Sequence, residues 1–252
     1  MSSPRAKLRF RAVAMRYDDG GRAVQALDGA ELEVREREFI CLLGPSGCGK
    51  STLLHLAAGF LRPTAGSVLV DGREVSGPGT DRGMVFQQHN LFPWQTVSGN
   101  VGFGPRLKGR IGAELDGSVA LALEEVGLAD FSEHYPPELS IGMQQRVGLA
   151  RAFANDPDIL LLDEPFASLD ALTRLQMQRL LLSLWQRRRQ TVIFVTHDVE
   201  EALLLADRLV LLSPRPGRVT RDISVPLGPR EGRPRDRRLP ELKEDILSQL
   251  LS

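Results

Sequence analysis

The sequence predicts an α/β fold in which a parallel sheet carries helices on both faces, and three observations predict it. Short, largely apolar runs recur at 39–43, 159–162, 192–196 and 209–212, the pattern of strands buried on both faces. Stretches with helical spacing fall between them, at 51–60, 113–126 and 140–154. A glycine-rich turn joins the first apolar run directly to the first helix. A composition of 42% apolar and 25% charged residues over 252 positions is ordinary for a globular chain and excludes a disordered or collagen-like one.

The other elements follow from local pattern. Residues 8–16 alternate apolar and polar side chains, as a half-buried strand does, and 66–72 and 83–87 are further strands bounded by turn residues. From 89 to about 112 glycine and proline accumulate and no regular element is assigned. The helical block between the 83–87 strand and the 159–162 strand is too long for a loop, so an inserted helical subdomain is expected at about 89–155. No internal repeat is present. A main domain is expected over 1–225, followed by an Arg/Pro-rich tail over 226–252, where 230–238 holds five arginines against two acids. That tail is expected to leave the core, although 241–251 has the spacing of one more amphipathic helix.

Charge and cysteine content narrow the function. Lys plus Arg and Asp plus Glu are both 32, so the net charge is zero, which argues against nucleic-acid binding through bulk charge. Only Lys7, Lys50, Lys108 and Lys243 are lysines, so each is worth inspecting. Cys41 and Cys48 are too few for a disulfide framework and suit a reducing compartment. No run approaches the length of a signal peptide or a membrane span. A soluble, cytoplasmic chain is expected, with any membrane role supplied by a partner.

The chemistry begins at Gly44, Pro45, Ser46, Gly47, Cys48, Gly49, Lys50 and Ser51, which match the G-x-x-x-x-G-K-[ST] phosphate loop between a buried strand and a helix. Glycines let the backbone curl so that successive N–H groups converge on phosphate oxygens, and the helix that follows adds its positive end. Lys50 supplies a point charge to the outer phosphates, and the Ser51 hydroxyl is a magnesium ligand. Cys48 contributes only backbone. The second feature is the strand 159–162 ending in Asp163 and Glu164, followed by Pro165. Such a pair can simply cap the next turn. Beside a phosphate loop it reads as Asp163 holding magnesium through water and Glu164 polarising the attacking water.

Leu139-Ser140-Ile141-Gly142-Met143-Gln144-Gln145-Arg146, shortly before that strand, resembles the signature of ATP-binding cassette (ABC) ATPases. Other motifs of that family fall in order. Gln87 resembles the Q-loop glutamine, Ser168-Leu169-Asp170 the D-loop, and His197 the switch histidine, while Tyr17 sits where the family places an adenine-stacking aromatic. Taken singly, Gln87 and His197 could be polar strand-end residues and Tyr17 a packed strand residue. The resemblance, from about residue 8 to 219, implies a P-loop NTPase (RecA-like) core with an antiparallel β subdomain and an inserted α-helical subdomain. It implies ATP and Mg2+, with Tyr17, residues 44–51, Thr52, Ser140, Gly142 and Met143 on the nucleotide. Ser51, Gln87 and Asp163 would be at the metal, and Glu164, His197, Gln87 and Asp170 would carry catalysis.

The signature departs from the family at Ile141, where a glycine is usual. A side chain pointing aside, weakening but not abolishing closure, is the expectation there. The resemblance implies a homodimer that sandwiches two ATP molecules, and an integral-membrane permease contacted near Gln87–Trp94. It further implies a periplasmic or lipid-anchored solute-binding protein acting indirectly, no nucleic acid, and a peripheral place on the cytoplasmic face of the membrane. Phe92 and Trp94 could instead pack the helical subdomain. Leu91-Phe92-Pro93-Trp94, Gln176-Met177-Gln178 with Leu184-Trp185, and residues 212–218 (LSPRPGR) resemble the nitrate, sulfonate and taurine importer group, nearest its taurine branch. Nitrate or another small solute of the group is the alternative cargo. A non-transport ABC ATPase would be expected to carry a second cassette or a long coiled-coil insertion. A P-loop kinase would leave residues 139–146 and His197 unexplained.

Overall fold

The computed structural model describes residues 5–88, 90–226, 230, 233 and 236–250. In chain order the elements are β1 (Ala6–Asp19), β2 (Arg22–Arg35), β3 (Phe39–Leu43), α1 (Lys50–Ala58), β4 (Ala65–Val70), β5 (Arg73–Glu74), β6 (Arg82–Val85), α2 (Val97–Leu107), α3 (Gly112–Glu125), α4 (Ile141–Ala154), β7 (Ile159–Asp163), α5 (Ala171–Arg188), β8 (Thr191–Val195), α6 (Val199–Leu205), β9 (Arg208–Leu212), β10 (Val219–Ser224) and α7 (Leu239–Leu250). They divide into two compact units, 1–79 with 191–252, and 80–190.

The first unit holds an antiparallel sheet in the order β2-β1-β4-β5 and a second set of strands in the order β10-β9-β3-β8. In the latter β8, β3 and β9 run parallel and β10 is antiparallel. Every residue of β3, β8 and β9 is buried, which is why these strands read as apolar runs. Phe39, Ile40, Leu42 and Leu43 are wholly buried, and each contributes about 2 kcal/mol relative to exposure. Helix α1 packs on β8 and α6 on β3. Arg208, at the start of β9, is kept inside by two bonds to Glu38 (2.7 and 2.9 Å) and an ion pair with Asp222 at 2.8 Å.

The tail expected to leave the core does not do so where it is described. Ile246 of α7 is fully buried, and Lys243 pairs with Glu200 of α6 at 2.8 Å. Arg230 donates to the Leu205 carbonyl and Asp207, and the buried Arg233 donates to the carbonyls of Leu203 and Ala206. These arginines satisfy the last carbonyls of α6, a task that an Arg-rich composition does not reveal.

The second unit pairs β6 with β7 in parallel and packs α4 against β6. Helices α2, α3 and α4 contact one another as a helical layer within 97–154. Helix α2 lies in the stretch for which the sequence predicts no regular element, because its glycines and Pro105 mask the helical pattern. Packing explains two of them. A Cβ on Gly102 would lie 3.1 Å from Val119, and one on Gly104 would lie 2.9 Å from Asn155. The Thr96 side chain caps this helix by accepting the Gly99 N–H at 3.1 Å.

Candidate nucleotide site

In the first unit the chain leaves β3 at Gly44 and enters α1 at Lys50. Gly49 caps α1 at φ +103°, with no side-chain oxygen to satisfy the first-turn N–H groups. A Cβ there would lie 2.6 Å from Leu27, so both conformation and space demand glycine. The Lys50 ammonium is buried and donates to the carbonyls of Gly44 (2.7 Å) and Pro45 (3.1 Å), bracing the loop from within. The hydroxyls of Tyr17 and Thr52 share a hydrogen bond of 3.3 Å, which brings the end of β1 to the first turn of α1.

His197 follows β8, the parallel neighbour of β3, with Leu42 opposite Val195. The loop and the histidine therefore leave adjacent strands at the same, carboxyl, end, where open α/β sheets bind ligands. His197 is exposed and its flanks are fixed. Thr196 donates through Oγ1 to the buried Glu201 (2.6 Å) and accepts the Asp198 N–H (3.0 Å), while Asp198 caps α6.

The second unit carries the remaining residues. Strand β7 ends at the half-buried Asp163, and Glu164 follows at φ +44°. A non-glycine residue in this region stores about 1–3 kcal/mol of strain, of the kind that functional sites hold. Val85 of β6 lies opposite Leu162, so Gln87, which is exposed, leaves its strand at the same end as the two acids. Ser140 caps α4, its Oγ accepting the Met143 N–H at 3.3 Å. Asp170 caps α5 by accepting the N–H groups of Leu172 (3.1 Å) and Thr173 (3.0 Å). Bonds from the Thr173 side chain and then its N–H hold the Asp170 carboxyl below the usual carboxylate range. A hollow of about 500 Å3 is lined by Ser140, Ile141, Gly142, Met143, Leu169, Asp170 and Thr173 among others. Ile141 is 55% exposed, and a Cβ on Gly142 would lie 2.9 Å from Thr173. Thus the signature backbone packs on α5 at Gly142, while Ile141 is largely exposed at the hollow.

A model of the ABC transporter family matches residues 27–167. The taurine import ATP-binding protein TauB of Jannaschia sp. (strain CCS1) is 48% identical over 251 residues, spanning 96% of this chain and 93% of that protein. An uncharacterized ABC transporter ATP-binding protein of Methanocaldococcus jannaschii is 51% identical over 233 residues, 92% of this chain and 86% of that one. The dimeric ABC transporter cassette MJ0796 superposes with a TM-score of 0.77 at 34% identity, over 88% of this chain and all of that one.

This chain belongs to the ABC transporter family.

It is an ATP-binding, ATP-hydrolysing cassette, and a post-hydrolysis structure of MJ0796 with ADP and phosphate is as similar, with a TM-score of 0.76. Among the described residues no helix is long and apolar enough to cross a membrane. Within the cassette, the first unit gathers Tyr17, the 44–52 loop and His197, and the second gathers Gln87, Asp163, Glu164, the signature and Asp170.

Three groups escaped the sequence reading. Asn100 is wholly buried in α2, accepts the Phe92 N–H at 2.8 Å and donates to the carbonyls of Phe92, Gln95 and Thr96. It therefore fixes the segment bearing Trp94, which is 71% exposed and tilted against Phe92 at 5.6 Å between centroids. Thr196 and Glu201 brace His197. A lone polar residue in a helix gives no sequence signal of such burial, whereas Glu201, four residues after His197, at least lies near a recognised motif.

Proposed function

We propose that this cassette is the ATP-hydrolysing subunit of an importer for taurine or a closely related sulfonate, working as a homodimer beneath a membrane permease at the cytoplasmic face. The observation that carries this reading is the 48–51% identity, over most of the chain, to proteins of several organisms named for taurine import. The aromatic surface at Phe92 and Trp94 supports a permease contact there, because the buried Asn100 holds the backbone on either side of an exposed tryptophan that is costly to leave bare. A periplasmic or lipid-anchored solute-binding protein would deliver the cargo to the permease.

In this reading Tyr17 stacks on adenine, and the N–H groups of residues 44–52 surround the phosphates. Lys50 exchanges its loop carbonyls for phosphate oxygens. The signature of a second copy, through Ser140, Gly142 and Met143, closes over the γ-phosphate. Glu164 accepts a proton from the attacking water, while His197, Gln87 and Asp170 orient the reacting groups across the closed pair. Among the described residues no cluster of three His, Cys, Asp or Glu side chains could cage a metal. One hydroxyl, one carboxylate and one amide, from Ser51, Asp163 and Gln87, suit Mg2+, which keeps waters and shares substrate phosphates. When bound it would neutralise charge on the phosphates.

Affinity capture from detergent-solubilised membranes, with mass spectrometry of what co-purifies, tests the reading. A permease and a solute-binding protein that takes taurine are expected. Recovery of soluble partners alone would overturn the transport role, and a binding protein selective for nitrate would overturn the cargo.

A further inference from the structure

The 212–218 segment resembles an importer-group motif, yet none of the nucleotide chemistry above uses it. We propose that Arg215 is a positioning residue for the phosphate loop, which it braces from outside by donating its guanidinium to the Gly47 carbonyl. The proposal rests on the reading of residues 44–52 as the ATP phosphate loop.

The β9–β10 turn is built to present this side chain. Ser213 N–H donates to the Arg218 carbonyl at 2.9 Å, and Ser213 Oγ accepts the Arg218 N–H at 3.0 Å. The turn is tied to β2, since Gly217 N–H donates to the Ala26 carbonyl (2.9 Å) and Asp28 N–H to the Gly217 carbonyl (3.1 Å). Arg218 adds an ion pair with Asp28. From this platform Arg215 Nε donates to Gly47 O at 3.2 Å, and a Cβ on Gly47 would lie 2.8 Å from its Nη2. Gly217 lies against the next carbonyl, where a Cβ would stand 1.9 Å from Cys48 O.

The carbonyls of two consecutive loop residues thus face the hairpin, while those of Gly44 and Pro45 are taken by Lys50. A trans peptide directs its C=O and N–H oppositely, so turning the Cys48 carbonyl toward the hairpin turns the Gly49 N–H away from it. Gly47, at φ +76°, can relax easily because it has no side chain. A charged donor on its carbonyl removes that freedom and presets the loop for phosphate.

The test uses the full-length chain and compares Arg215→Gln, Arg215→Lys and the control Arg221→Gln. Arg221 sits on the same hairpin and pairs with Asp245, so its loss changes net charge equally without touching the loop. Arg215→Gln is expected to raise both the KM for ATP and the Kd for ADP about five-fold, with kcat falling less than two-fold. Arg215→Lys should recover part of the affinity, the nucleotide-free melting temperature should hold, and Arg221→Gln should leave KM unchanged. Unchanged KM and Kd in Arg215→Gln, or an equal rise in the Arg221→Gln control, would overturn the proposal. Absence of ATP binding by the unaltered chain would instead remove the phosphate-loop reading itself.

Discussion

Helices α1 and α5 begin in opposite ways. Asp170 closes the start of α5 by accepting two backbone N–H groups, whereas Gly49 offers α1 no side-chain oxygen at all. The start of helix α4 is intermediate in this respect, with one N–H taken by Ser140. In the proposed function α1 would receive the phosphates, for which free N–H groups at its start are suited, whereas α5 has two of its own taken by the Asp170 carboxylate. In the same loop the Lys50 ammonium is held on the Gly44 and Pro45 carbonyls, which phosphate oxygens would replace in the proposed function.

The largest effect is expected at Lys50. Lys50→Ala should raise the Kd for ATP on the order of 100-fold, about 2.7 kcal/mol, measured by titration calorimetry. A change below three-fold would mean that the loop backbone alone holds the phosphates. Ser140→Ala removes a cap and should cost about 1 kcal/mol of stability in urea. If Ser140 also serves the second copy's nucleotide, ATPase at saturating ATP should fall about ten-fold while the isolated chain's ATP affinity holds. A stability loss with normal turnover would confine Ser140 to capping.

Much of this was legible beforehand because it rests on local pattern. The phosphate loop is a contiguous string whose glycines answer steric needs at Gly49, while β3, β8 and β9 are buried throughout and β7 is buried as far as Leu162, so all four read as apolar runs. The order of Gln87, the signature, Asp163, Glu164 and His197 carried the family. What stayed hidden depends on distant partners. Helix α2 is concealed by glycines that its neighbours Val119 and Asn155 require. The arginines at 230 and 233 look like a solvated run until α6 supplies its carbonyls. Arg215 reads as a group marker until the hairpin carries it 168 residues back along the chain to Gly47.

Smaller effects are expected at Ile141 and Asp170. Ile141→Gly should raise the ATPase rate about two- to three-fold by relieving crowding at closure, despite a helix-propensity loss of about 0.5 kcal/mol. An unchanged rate would show that the isoleucine does not hinder the closed pair. The smallest concerns pH. The folded Asp170 carboxyl lies below its usual range, so its contribution to stability is present above the unfolded value of about 3.9 and is lost as pH falls through the folded one. The melting temperature of the wild type should therefore lose its advantage over Asp170→Asn as pH drops from 5 to 3. A constant gap would show that the cap does not titrate.

In the proposed function Glu164 drives hydrolysis within an ATP-held pair. The most direct measurement is the mass of Glu164→Gln by light scattering with Mg2+ and ATP, alongside its turnover. A stable dimer with ATP, a monomer without it, and a kcat reduced on the order of 100-fold or more are expected. A variant that turns over ATP at the normal rate, or stays monomeric with saturating ATP, would contradict it.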